Sequence, residues 1–176
     1  DIDQDLPMNR LVEGDVGSGK TVVAALAAMM VMKSGLQVLF MAPTEILAQQ
    51  HANTLSKIFE DTEMAGSVGL LTGSLKPKTK NLLHQKIKDG ECKLVVGTQA
   101  LIQDAVATNN VGLVIVDEQH RFGVNQRQKL RQKAGIFPHF LSMTATPIPR
   151  SLALTLYGEI DLSIIQSMPG GRKETI

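Results

Sequence analysis

The sequence has few aromatic residues and no tryptophan, since phenylalanine and tyrosine together make up 3% of its 176 residues. A surface that grips single-stranded nucleic acid by stacking many bases is therefore not expected. The net charge is only +1, which excludes attachment to nucleic acid by bulk charge but not a local row of phosphate contacts. One cysteine, Cys92, cannot form an internal disulfide and is typical of a reducing cytosol.

The sequence also lacks the long uncharged run of a membrane span, and no signal peptide is visible. We therefore expect a cytoplasmic protein with no membrane partner. His51, His84 and His139 have no cysteine or histidine partners at ligand spacing, so no structural zinc is predicted. The basic run from Lys76 to Lys88 resembles a nucleic-acid patch, but a solvated helix face is the favoured interpretation.

Short apolar runs alternate with longer helical patterns, a rhythm typical of βαβ units. Nearly continuous apolar strands indicate burial on both faces, as in a parallel sheet covered by helices. The pattern therefore predicts an α/β fold, a three-layer sandwich with a mostly parallel central sheet. The predicted strands cover residues 10–13, 36–41, 67–71, 93–96, 112–116, 137–143 and 162–165, and the predicted helices cover 20–33, 44–59 and 76–88.

A glycine-rich segment lies between the first predicted strand and the first predicted helix, and it matches G-x-x-x-x-G-K-[ST] at every fixed position. Glycines let the backbone wrap a phosphate closely, and N–H groups at a helix start attract an anion. We expect Lys20 to reach the β- and γ-phosphates of ATP and the Thr21 hydroxyl to coordinate Mg²⁺. The nucleotide-binding residues are predicted to be Gly14, Asp15, Val16, Gly17, Ser18, Gly19, Lys20 and Thr21.

An acidic pair, Asp117 and Glu118, follows the Val- and Ile-rich strand. Ligands bind at the carboxyl ends of strands in parallel sheets, so this pair stands where Mg-ATP chemistry is possible. Asp117 is predicted to hold Mg²⁺, and Glu118 to polarise the water that attacks the γ-phosphate. Alone, such a pair is more often a solvated turn. The phosphate loop upstream reverses that preference.

The order of the motifs resembles the superfamily 2 helicases, and the match covers almost the whole chain. Within that superfamily, the continuation from Asp117 to Val124 and the run from Ala145 to Arg150 resemble the RecG family of bacterial branched-DNA translocases. The transcription-repair coupling factor shares much of this pattern, but it usually has Glu where this chain has Gln119. The motifs are Gly14 to Thr21, Ala42 to Glu45, Thr72 to Ser74, Gly97 to Gln99, Asp117 to His120 and Ser142 to Thr146.

The resemblance implies a RecA-like P-loop fold and roles that composition alone does not give. One group of residues is expected to face DNA: Pro43, Thr44, Glu45, Thr72, Gly73, Gly97, Thr98 and Gln99. A second group is expected to couple the nucleotide site to DNA and to a second motor lobe: Gln119, His120, Arg121, Phe122, Thr144, Ala145 and Thr146. Pro43, Thr44 and Thr98 also suit simple helix starts, a role compatible with DNA contact.

The resemblance also implies domains beyond this sequence. We expect residues 1–167 to form the first RecA-like motor lobe and residues 168–176 to form a linker towards a second lobe. That lobe would supply an arginine to the ATP site, and a wedge domain would bind the DNA branch, so the isolated chain is expected to hydrolyse ATP poorly. Three alternatives stay open: the transcription-repair coupling factor, a nucleotide-dependent switch that does not move on DNA, and an RNA helicase.

Overall fold

The structure is a computed structural model that describes residue 2 and residues 7–103, 110–118, 138–146 and 160–166. The described strands are β1 (Asn9–Gly14), β2 (Gln37–Met41), β3 (Val68–Leu71), β4 (Leu94–Gly97), β5 (Val111–Asp117), β6 (His139–Thr144) and β7 (Asp161–Ile165). The described helices are α1 (Lys20–Lys33), α2 (Glu45–Phe59), α3 (Pro77–Lys88) and the short α4 (Ala100–Gln103).

The seven described strands form one sheet in the order β3-β4-β2-β5-β6-β1-β7. Every neighbouring pair is parallel, which confirms the predicted parallel α/β sheet. All five residues of β2 and all seven of β5 are buried, as expected for central strands that helices cover on both faces. Because the strands are parallel, their carboxyl ends lie at one edge of the sheet.

The core has two layers, one on each face of the sheet. Alternate residues of β2 point to opposite sides: Val38 and Phe40 pack with α1 and α2, whereas Leu39 and Met41 pack with α3 and α4. Helices on both faces of a parallel sheet give the three-layer sandwich that the sequence predicted.

The local signals that predicted the helix ends are present in the structure. Gly35 follows Ser34, the residue that caps the end of α1, and adopts a φ of 80°, so the left-handed turn that ends the helix falls on a residue without a Cβ. At the start of α2, the Thr44 hydroxyl accepts a hydrogen bond from the Leu47 N–H at 3.3 Å. None of the helices in the described part of the chain is long and apolar enough to cross a membrane.

Candidate functional site

Each predicted motif that the structure describes lies at the carboxyl end of a strand. The phosphate loop follows β1, Pro43 and Thr44 follow β2, and Thr72 and Gly73 follow β3. The remaining motifs lie at the ends of β4, β5 and β6. The fold therefore brings to one edge of the sheet residues that are far apart in the sequence, and this edge is the candidate functional site.

The phosphate loop turns from β1 into α1 through backbone conformations that favour glycine. Gly17 and Gly19 have φ angles of 83° and 98°, and Gly19 is the residue that caps α1. The Lys20 ammonium lies inside the loop, where its Nζ donates to the carbonyl oxygens of Gly14 at 2.5 Å and Asp15 at 2.8 Å. The cationic side chain and the N–H groups at the start of α1 thus converge on one concave turn.

The interior of this loop fits a phosphate group. Ser18 is buried, and its hydroxyl has no hydrogen-bond partner in the part of the chain that the structure describes. A buried hydroxyl normally has a partner, so this one suits a polar ligand. Gly14 leaves no room for a side chain, because a Cβ there would lie 2.6 Å from the Ser18 Oγ. Thr21 follows in the first turn of α1, where its hydroxyl is chemically suited to Mg²⁺.

The acidic pair lies at the end of β5, and its first member is held from two sides. The Asp117 Oδ1 accepts a hydrogen bond from the Glu118 N–H at 3.1 Å. The Asp117 Oδ2 lies 2.7 Å from the Nε2 of His51, a residue of α2. Glu118 has a φ of 50°, a left-handed conformation that is uncommon for a residue with a side chain. The chain therefore turns sharply at the point where the two carboxylates leave the sheet.

The end of β6 forms a compact turn. The buried Thr144 hydroxyl accepts a hydrogen bond from the Thr146 N–H at 3.1 Å and lies 3.0 Å from the Thr146 Oγ1. Ala145 lies between them. Because β6 pairs with both β1 and β5, this turn lies between the phosphate loop and the acidic pair.

The loops after β2 and β3 are joined by a carboxylate. Glu45 accepts hydrogen bonds from the Ser74 N–H at 3.1 Å and from the Ser74 hydroxyl at 2.6 Å. These bonds, with the hydroxyl contributing most, lower the pKa of Glu45 below its ordinary value of 4.5. Thr72 is buried and its Oγ1 lies 3.2 Å from the Ser74 Oγ. Glu45 therefore fixes the loop after β3 relative to the start of α2.

The loop after β4 packs closely against its neighbours. The Ala42 N–H donates to the Gly97 carbonyl oxygen at 2.8 Å, and the Leu101 N–H donates to the Thr98 carbonyl oxygen at 3.0 Å. A Cβ on Gly97 would lie 2.9 Å from the Leu101 Cγ, so glycine is needed for the close approach. Thr98 is half-buried and Gln99 is exposed at the edge.

The strand order divides the edge into two halves. The loops expected to face DNA follow β3, β4 and β2, which are neighbours, and the nucleotide and coupling segments follow β5, β6 and β1, which are also neighbours. The sequence motifs gave no indication of the His51–Asp117 contact or of Ser74 as the partner of Glu45. The coupling residues Gln119, His120, Arg121 and Phe122, and the predicted linker 168–176, lie outside the described residues.

P-loop nucleotide-binding domains have this arrangement: a parallel sheet, a glycine-rich loop after its first strand, and a carboxylate pair at the end of a buried strand. The family model for DEAD/DEAH box helicases matches residues 4–155. The chain therefore belongs to the DEAD/DEAH box helicase family, which uses ATP.

Among curated proteins, the chain is similar to the ATP-dependent DNA helicase RecG. It is 55% identical to the Aquifex aeolicus protein over 177 residues, which cover 100% of this chain and 22% of that protein. It is also 55% identical to the Haemophilus influenzae protein over 179 residues, which cover 98% of this chain and 26% of that protein. The predicted resemblance to superfamily 2 helicases and to RecG is thereby confirmed, and the chain spans about a quarter of the length of these relatives.

A solved structure gives the same result. The structure of RecG bound to a three-way DNA junction matches with a TM-score of 0.81 and 44% sequence identity, and the match covers 99% of this chain and 23% of that one. The RecA-like helicase fold expected from the resemblance is confirmed by this match.

Proposed function

We propose that this chain is the ATP-binding motor lobe of a DNA helicase that remodels branched DNA, such as stalled forks and Holliday junctions, in recombination and repair. Its similarity to RecG over nearly its whole length supports this role. The structural observation that carries the proposal is the single sheet edge, on which the nucleotide half and the DNA-facing half lie side by side. A movement of one half can therefore be transmitted to the other half over a short distance.

In the nucleotide half, the phosphate loop from Gly14 to Thr21 would hold ATP. Lys20, which donates to two loop carbonyls, would exchange those partners for the more negative β- and γ-phosphate oxygens. Thr21 and Asp117 would hold Mg²⁺, which offsets charge on the phosphates. Glu118 would orient the attacking water and take up its proton.

In the other half, the contacts with DNA would be made mainly through the phosphate backbone. Hydroxyls, backbone N–H groups and helix starts suit such contacts, which carry no sequence information. Glu45 is better suited to fixing the loop than to touching a phosphate, because its carboxylate already binds Ser74. The DNA-facing residues in this proposal are Pro43, Thr44, Thr72, Gly73, Gly97, Thr98 and Gln99, held in place by Glu45.

The complete motor would need partners that this chain does not contain. A second RecA-like lobe would add an arginine to the ATP site, a contribution worth about 10³–10⁵ in rate. A wedge domain of the same protein would engage the DNA branch. The DNA substrate in this proposal implies a location in the bacterial cytoplasm at the nucleoid. The coupling segments in this proposal are Gln119, His120, Arg121, Phe122, Thr144, Ala145 and Thr146.

The direct test is steady-state ATP hydrolysis by the complete protein that carries this chain, with and without forked DNA. We expect forked DNA to stimulate hydrolysis strongly and Lys20→Ala to abolish it, because the variant loses the charge that binds the phosphates. Lys57→Ala, at the end of α2, is the matched control and should behave like the unchanged protein. An equal rate of ATP hydrolysis with and without forked DNA would contradict the motor role and favour a nucleotide-dependent switch.

A further inference from the structure

We propose that His51 positions Asp117 for Mg²⁺ and is the contact through which the DNA-facing half of the edge acts on the nucleotide half. The inference rests on the proposed function, because it assumes that Asp117 holds the metal. His51 belongs to α2, the helix that follows β2, whereas Asp117 ends β5. Strands β2 and β5 are the neighbours at which the two halves of the edge meet.

The contact is short and protected from water. Nε2 of His51 lies 2.7 Å from Oδ2 of Asp117, and the two side chains are only 13% and 12% exposed. Because a carboxylate oxygen only accepts, Nε2 is the donor. A hydrogen bond to a carboxylate is about twice as strong as one between neutral groups, and burial shields it from competing water.

The imidazole ring itself is held by packing. Its centroid lies 4.6 Å from that of Phe40, with the ring planes at 41°. Phe40 is fully buried in β2, so the ring rests on a rigid part of the sheet. The ring can therefore direct Nε2 at a fixed point, as a residue that orients a metal ligand must.

The two oxygens of Asp117 are fixed from different elements. Oδ1 is held locally by the Glu118 N–H, and Oδ2 is held by α2. The first bond belongs to β5 and its turn, so among the described residues only the second connects the carboxylate to a helix. A shift of α2 would rotate or release the carboxylate.

The start of α2 belongs to the DNA-facing half. Thr44 caps this helix, and Glu45 ties its first turn to the loop after β3. A DNA strand bound across these loops would therefore bear on the same rigid helix that carries His51. The path from the DNA-facing loops to the candidate metal ligand is one helix and one hydrogen bond.

The test uses the complete protein and measures the binding of a fluorescent ADP analogue as Mg²⁺ is varied, without DNA. His51→Phe keeps a ring against Phe40 but has no donor, and His51→Gln keeps an N–H donor of similar reach. We expect the Mg²⁺ concentration for half-maximal binding to rise about tenfold or more in His51→Phe, a typical loss for a residue that orients a metal ligand. His51→Gln should recover most of it, and affinity in EDTA should not change.

Asn53→Ala, on the exposed face of the same helix, is the matched control. If His51→Phe does not fold, the smaller His51→Leu removes the same donor and carries the same test. A folded His51→Phe or His51→Leu variant with an unchanged Mg²⁺ requirement would overturn the proposal. A His51→Gln variant that needs as much Mg²⁺ as His51→Phe would overturn it too.

The coupling role has its own measurement, the ratio of ATP hydrolysis with forked DNA to hydrolysis without it. In His51→Phe we expect kcat with DNA to fall more than basal kcat, so that the ratio drops, while KM for ATP at saturating Mg²⁺ changes little. An unchanged ratio would overturn the coupling role. If the unchanged protein shows no stimulation by DNA, the proposed motor function fails, whereas the Mg²⁺ titration still tests the positioning of Asp117.

Discussion

At the scale of single residues, the site depends on atoms that approach each other closely. Gly14 stands where a Cβ would meet the Ser18 Oγ at 2.6 Å and the Ile165 Cβ at 3.2 Å. Lys20 donates into the same turn, and Ser18, which is part of that turn, is buried. Gly14 does not have a positive φ, so backbone conformation alone does not require glycine at this position. The neighbouring atoms require it, because they leave no room for a Cβ.

We therefore expect Gly14→Ala to lower the free energy of unfolding by about 1–3 kcal/mol, the usual effect of overpacking, and to weaken nucleotide binding at least about tenfold. Gly35→Ala is the control: its φ of 80° costs about 1 kcal/mol, but no atom within 4 Å meets the new Cβ. Chemical denaturation and titration with a fluorescent nucleotide measure both effects. Normal nucleotide affinity in Gly14→Ala would show that the loop accommodates a side chain.

Some residue roles were predictable from the sequence and others were not. The phosphate-loop motif has a fixed spacing because one turn must wrap one phosphate. In the structure its Gly17 and Gly19 adopt positive φ angles, and its lysine donates into the loop. His51 has no such spacing, since its partner Asp117 is far along the chain and meets it only because β2 pairs with β5. Ser74 was likewise unpredictable as the partner of Glu45, because the bond joins two separate loops.

At the scale of elements, helix and strand ends were well predicted because local chemistry sets them. The helix from Lys20 to Lys33 has the predicted bounds, and Gly35 and Thr44 act at the helix ends that they indicated. The strand order was not predictable, because the apolar runs of the strands are similar and do not specify which strands pair with each other. That order places the loops proposed to face DNA on one half of the edge and the proposed nucleotide and coupling segments on the other.

The tie between α2 and the loop after β3 gives a prediction at this scale. Glu45→Gln removes the charge that accepts from the Ser74 N–H and hydroxyl, so the loop loosens and affinity for forked DNA falls, by no more than about fivefold because exposed charged pairs contribute little. Nucleotide affinity without DNA should stay the same. Fluorescence anisotropy with labelled forked DNA measures the first quantity, with Glu60→Gln at the other end of α2 as the control.

The pH dependence of this tie follows from its chemistry. The bonds from Ser74 lower the pKa of Glu45, so the stabilisation they give is fully present above pH 4.5 and is lost only as the pH falls below it. The contact between Glu45 and Ser74 should therefore add no pH dependence to DNA affinity near neutral pH.

The Ser74 side of the contact gives a further prediction. Ser74→Ala should weaken DNA binding about as much as Glu45→Gln does, and the double variant should bind DNA no more weakly than either single variant. Additive losses would contradict a shared tie.

At the scale of the whole molecule, the chain spans about a quarter of the length of the RecG proteins that it resembles. Its fold brings a phosphate loop, a carboxylate pair and the loops that we propose to face DNA to one sheet edge. In the proposed motor, ATP closes this lobe against a second one, and hydrolysis reopens them. A second lobe was predicted only from the family resemblance. The residue patterns of a single lobe do not by themselves describe the lobe that it would close against.

The central claim is that this chain is one half of a split ATPase site. The most direct measurement is the turnover of ATP by the isolated chain with Mg²⁺ and forked DNA, compared with that of the complete protein, after a cooperative thermal transition has shown that the chain is folded. We predict that the chain alone turns over ATP at least about 10³-fold more slowly and is not stimulated by DNA. Brisk turnover by the chain alone, lost in Lys20→Ala, would keep the phosphate-loop assignment and contradict the split site.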